Sequence, residues 1–227
     1  SDIVLMCLFD TQAVEAVVFG PQGIASGKRF KTLVDHASIR PDATRELATR
    51  LKKECGADWV DAPVSGGVAG AAAGTLAIMC GGEEAAVERV RPILAAYSPN
   101  VTRMGPAGAG QTTKLCNQML VGCTIATIAE VVRMAQSAGI DAGLLPKALG
   151  GGWADSKPMQ TFVPRMVNGW EQPLGTANTF LKDLETALHL ARSVDTPTPM
   201  TALAAQIFRM LDARGDDGLG EADACSD

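Results

Sequence analysis

Over the first hundred residues, short apolar runs alternate with helix-forming stretches, and beyond Gly110 that alternation stops. IVLMCL (3–8), TLVDHAS (32–38), ADWVDAP (57–63), TLAIMCGG (75–82) and NVTRMG (100–105) read as strands. The first is apolar throughout, as expected of a parallel strand covered on both faces. Asp10 and Thr11 offer a cap to a helix that ends at Gly20. Pro41-Asp42 opens another that runs to about Glu54, and EEAAVERVRPILAAY supplies a third. SGGVAGAAAG joins the third and fourth strands. This order predicts a parallel sheet of βαβ units. From there on only helical patterns follow, over 111–138, 141–150, 156–168, 178–194 and 198–213. The boundary falls near Pro106, which gives an α/β part over 1–107 and an all-α part over 108–227.

The 227 residues are 47% hydrophobic, enough to fill a sizeable core. The net charge of −5 comes from interspersed signs with no basic stripe, which argues against nucleic acid or anionic membrane as partner and for a small molecule. The six cysteines (Cys7, Cys55, Cys80, Cys116, Cys123, Cys225) are scattered, mostly within apolar runs, and read as reduced core residues of a cytoplasmic protein. His36 and His189 are the only histidines, and neither has a neighbour at metal-ligand spacing. The uncharged run Leu115–Ala129 is too short to span a bilayer and reads as a buried helix. It is also more apolar than one small helical domain can cover, so a partner subunit is expected on it.

GPAGAGQTTKLCNQ (105–118) invites a phosphate-loop reading that its spacing refuses. Gln111 stands where a P-loop needs lysine after Gly110, and Lys114 comes three residues too late. Thr113 stands where G-x-G-x-x-G needs its third glycine. A tight turn with close backbone approach fits better. On the helix that follows, Lys114, Asn117 and Gln118 share one face, and a solvated first turn is the competing reading. DAPVSGG (61–67) places a Ser-Gly-Gly turn after a strand, where bare N–H groups and the Ser65 hydroxyl can hold a carboxylate; an ordinary glycine turn looks the same. In FLKDLETALHLA (180–191), Leu181, Leu184, Leu188 and Ala191 form an apolar stripe beside Lys182 and Asp183, adjacent opposite charges of the kind that usually marks a solvated face. GGGWADSK (150–157) offers Trp153 either to a substrate's far end or to simple packing.

LVDHASIRP, DAPVSGGVAGAAAGTLAIMCGG, GAGQTTKLCNQ and FLKDL, in that order, resemble the β-hydroxyacid dehydrogenase family, from about residue 3 to the end. The resemblance implies an α/β fold, an incomplete Rossmann-like NAD(P)-binding domain, followed by an all-α substrate and dimerisation domain. It implies an NAD- or NADP-dependent oxidoreductase that interconverts a small 3-hydroxyacid and its semialdehyde, as a 2-hydroxy-3-oxopropionate reductase or 3-hydroxyisobutyrate dehydrogenase does. Lys114 matches the family's proton-transferring lysine, and Asn117 the residue that orients substrate beside it. Ser65, Gly66 and Gly67 match the loop that holds the substrate carboxylate. Leu8, Phe9, Ser38 and Lys182 match cofactor-side positions, although the family usually has proline where Phe9 stands. Homodimers or homotetramers are implied.

The family also places a strand, a G-x-G-x-x-G turn and a helix ahead of a strand like IVLMCL. None of these is in the sequence, so the expectation is a piece of a longer nucleotide-binding domain. The alternatives are a non-catalytic binding or assembly module that keeps the fold, and an imine-reductase relative, which Lys114 disfavours.

Overall fold

A computed structural model describes residues 1–27, 29–169 and 174–214. The chain forms two compact units, Ser1–Cys116 and Asn117–Asp227.

The first unit begins with β1 (Ile3–Met6), then α1 (Thr11–Phe19), β2 (Thr32–Asp35), α2 (Pro41–Cys55) and β3 (Asp58–Asp61). These three strands are parallel neighbours, with Leu33 beside Trp59 and Asp35 beside Asp61. Side chains alternate across the pleat. Leu33 and Trp59 therefore pack with Val14, Val18, Leu47 and Leu51 of α1 and α2 on one face. Val34 and Val60 pack on the other with Val87, Val90 and Leu94. Those last three belong to α4 (Glu84–Leu94), so helices sandwich the sheet. Each fully buried Leu or Val contributes about 1.5–3 kcal/mol.

The sheet is mixed, which corrects the all-parallel expectation. After β3 come β4 (Val64–Ser65) and α3 (Gly67–Ala72), both within what reads in the sequence as a connector. β5 (Ala77–Gly81) then pairs antiparallel with β3 and β4, and parallel with β6 (Asn100–Gly105). The physical reason is reach: α3 has six residues. That makes it about 9 Å long, too short to return the chain for another parallel strand. A second correction concerns β1, where Leu5 is 41% exposed instead of covered on both faces. β1 ends the strand order, and among the described residues nothing pairs with its outer edge. A third concerns cysteine: of the five described, all free thiols, only Cys80 is buried, and Cys7 and Cys116 are exposed.

α5 (Ala109–Ser137) begins in the first unit and continues into the second, where α6 (Leu145–Leu149), α7 (Lys157–Asn168), α8 (Ala177–Ser193) and α9 (Pro199–Ala213) follow. Ile125, Ile128, Val132, Met159, Val163, Leu184 and Phe208 are among the core residues of this helical unit. Leu181, Leu184 and Ala191 are buried, as the stripe on α8 requires. By length and composition α5 could cross a membrane, yet 33% of its apolar window is already buried in the protein. Not all of α5 is covered, for Leu120 is 72% exposed and Met134 66%.

Candidate active site

The turn at 105–111 is built around one buried carboxylate. Asp61, at the carboxyl end of β3, is fully buried. Its Oδ1 accepts the Gly108 N–H at 2.8 Å and its Oδ2 the Gln111 N–H at 2.9 Å. The carboxylate thus caps α5 from a distant strand, where the helix dipole favours negative charge. Glycines make this approach possible. A Cβ on Gly81 would lie 2.5 Å from Asp61 Oδ1, and one on Gly110 would lie 2.7 Å from the Asp61 carbonyl oxygen and press on that of Met79. Gly108, at φ +88°, holds a conformation that L side chains rarely adopt. The close-approach reading of these glycines therefore holds, and Asp61 is its unforeseen cause. Burial pushes the Asp61 carboxyl upward, against the Gly108 and Gln111 N–H bonds that favour its ionised form.

Gln111 extends this network to the loop after β2. Its Nε2 donates to the Ala37 carbonyl at 2.7 Å, and its Oε1 accepts the Ile39 N–H at 3.2 Å. The two bonds bracket Ser38. Beside it, His36 donates from Nδ1 to the Ala62 carbonyl at 2.6 Å, which leaves Nε2 to accept from the Tyr97 hydroxyl at 2.8 Å. Burial lowers the His36 pKa. Asp35, also fully buried, accepts the Ala37 N–H on Oδ1 at 2.9 Å, while its Oδ2 is buried without a partner. Burial, reinforced by the neighbouring Asp61 charge, pushes the Asp35 carboxyl up to about 7 despite the Ala37 N–H.

Ser65 ends β4, opposite Ala77. Gly66 and Gly67 follow at φ +137° and +63°, conformations that favour glycine, and as glycines they carry no side chain over the turn. A Cβ on Gly67 would meet nothing within 4 Å, so the turn is open at that point. Lys114 stands in the second turn of α5, half-buried, one turn beyond Gln111. The first unit thus contains Leu8, Phe9, Ser38, Ser65, Gly66, Gly67 and Lys114.

Asn117 and Lys182 belong to the second unit. Asn117 donates from Nδ2 to Gln118 Oε1 at 2.9 Å, and Gln118 donates from Nε2 to Asp183 Oδ2 at 2.8 Å. Lys182 Nζ lies 3.4 Å from Asp183 Oδ1. Gln118 and Asp183 are therefore buried scaffolding that joins α5 to α8, and not members of a solvated face. Trp153 is fully exposed, contrary to the packed alternative.

Leu8 and Phe9 follow β1 and Ser38 follows β2, at the carboxyl ends of adjacent parallel strands. Ligands of open α/β sheets bind in the crevice outside such ends. Phe9 is 58% exposed there, so these residues fit one flank of a nicotinamide dinucleotide. Sequence reasoning missed Asp61, Gln111 and Asp183 as organisers, because their partners lie far along the chain.

Two family profiles match the chain. One, the NAD binding domain of 6-phosphogluconate dehydrogenase, covers residues 1–105. The other, the NAD-binding region of NADP-dependent 3-hydroxyisobutyrate dehydrogenase, covers 108–226. The 2-hydroxy-3-oxopropionate reductase of Escherichia coli is 38% identical over 96% of this chain and 75% of its own length. The 2-(hydroxymethyl)glutarate dehydrogenase of Eubacterium barkeri is 36% identical over 92% and 69%. A 3-hydroxyisobutyrate dehydrogenase of Mycobacterium tuberculosis, solved with L-serine, superposes with TM-score 0.86 at 28% identity, covering 99% of this chain and 78% of that one.

Proposed function

Because the chain belongs to the β-hydroxyacid dehydrogenase family, NAD(P)-dependent enzymes that act on CH–OH groups, we propose that it interconverts a small 3-hydroxyacid and its semialdehyde. 2-Hydroxy-3-oxopropionate reduction and 3-hydroxyisobutyrate oxidation are the two reactions in view. The observation that carries this reading is the open Ser65-Gly66-Gly67 turn, four residues beyond the Asp61 that pins the helix of Lys114.

In this reading Ser65 and the N–H groups of Gly66 and Gly67 hold the substrate carboxylate. Leu8, Phe9, Ser38 and Lys182 hold the nucleotide, and bound NAD(P) supplies or accepts the hydride. Lys114 takes the hydroxyl proton during oxidation and returns it during reduction, when its ammonium also stabilises negative charge growing on the carbonyl oxygen. Asn117 orients the reacting oxygen beside Lys114. Residues 1–107 then serve mainly the nucleotide and lend Ser65, Gly66 and Gly67 to the substrate, while 108–227 serve mainly the substrate and dimerisation and lend Lys182 to the nucleotide. The exposed Leu120 and Met134 support a homodimer or homotetramer with the uncovered side of α5 at a subunit contact. The kinship with metabolic dehydrogenases supports a cytoplasmic location.

The carboxylate requirement is the sharpest test. 2-Hydroxy-3-oxopropionate or 3-hydroxyisobutyrate should turn over with kcat/KM at least about a hundredfold above a neutral analogue in which an amide replaces the carboxylate. Equal turnover of the amide would remove Ser65-Gly66-Gly67 from the site.

A further inference from the structure

We infer that Gln111 is a positioning residue for the reaction, tying the loop that holds Ser38 to the helix turn that presents Lys114. The inference rests on the roles just proposed for those two residues, whereas its geometry stands without them. Gln111 is 1% exposed and uses both ends of its amide on main-chain groups of one loop, the carbonyl of Ala37 and the N–H of Ile39. Its own N–H is fixed by Asp61, so backbone and side chain are both held. Ser38 lies between the two bonded residues, and Lys114 lies one turn along α5. A buried amide in such a place is costly to leave unpaired, so neither the loop nor the helix start shifts alone. Setting these elements is a role that a plain core residue would not fill, because an apolar side chain of equal volume would cover the same surface with no hold on the loop.

The consequence is kinetic as well as structural. If the Ser38 loop samples other conformations, nucleotide affinity falls by the fraction of time it is out of place. Gln111→Met in the full-length enzyme keeps the volume and removes both bonds. Titration with NADPH and NADH, followed by nicotinamide fluorescence, should show dissociation constants raised about tenfold for the nucleotide the enzyme uses. The KM of the hydroxyacid, measured at saturating nucleotide, should move less than about twofold, and amide exchange at Ile39 should accelerate. Gln111→Asn, whose amide is one methylene too short to reach both Ala37 and Ile39, should raise the dissociation constant in the same direction, and serves if the Met variant does not fold. Unchanged nucleotide affinity in a folded variant, with only a lower Tm, would overturn the inference and make Gln111 a core residue. That readout does not involve Lys114, so a failure of the proton-transfer role shows itself separately, as turnover that survives loss of Lys114.

Discussion

Two buried aspartates grip α5 in different ways. Asp61, in the α/β unit, spends both oxygens on main-chain N–H groups of the helix start and forms no salt bridge among the described residues. Asp183, in the helical unit, holds one side-chain amide, that of Gln118, and one ammonium, that of Lys182. The first arrangement fixes where a helix begins. The second fixes where a cation stands, because Lys182 is drawn to the remaining oxygen. Backbone N–H groups offset only part of the cost of desolvating a buried carboxylate, which is why burial raises the Asp61 pKa. The surrounding glycines, Gly81, Gly108 and Gly110, exist to bring backbone close enough to meet it.

Substitution by asparagine should separate the two. Asp61→Asn offers one acceptor oxygen to two N–H donors and cancels the charge at the helix start, so a loss of about 3 kcal/mol is expected in denaturant unfolding. Asp183→Asn can still accept from Gln118 and loses mainly a partly exposed pairing with Lys182, so about 1 kcal/mol is expected. Equal losses would erase the distinction.

A third buried carboxylate, Asp35, differs from both in leaving a pH signature. Its folded pKa, about 7, is above the unfolded carboxylate value, so the folded state binds the proton more tightly. The stabilisation is fully present below the unfolded pKa of about 4 and is lost as pH rises toward 7. Asp35→Asn should therefore gain on the parent protein between pH 4 and pH 8, by up to about 4 kcal/mol in chemical denaturation, the equivalent of about three pKa units. A difference that does not vary with pH would mean that folding leaves the Asp35 pKa unshifted.

Much of the fold was legible in the sequence. Runs such as TLVD and the Pro41 helix start announce themselves locally, and the change of texture near Pro106 marks where strands give way to helices. The mixed sheet was not, because direction in β5 depends on the length of a six-residue helix hidden in SGGVAGAAAG. The glycines of GPAGAGQ were readable as close-approach positions from spacing alone. What they approach was not, since Gly108 and Asp61 are 47 residues apart. The candidate site divides the same way. Lys114, Asn117, Ser65 and Lys182 have local surroundings that an ordinary turn or a solvated helix face would share, so resemblance to a family, and no periodicity, singles them out. Gln111 and Asp183 carry no local mark at all, because a buried polar residue on a helix is recognised only once its distant partners are in place.

The most direct measurement concerns Lys114. In the full-length enzyme, Lys114→Ala should lower kcat by about a thousandfold, within the range of general acid–base catalysis, while the dissociation constant for NAD(P)H stays within about twofold of the parent value. A kcat within about tenfold of the parent, at saturating hydroxyacid and nucleotide, would contradict proton transfer by Lys114 and with it the central assignment.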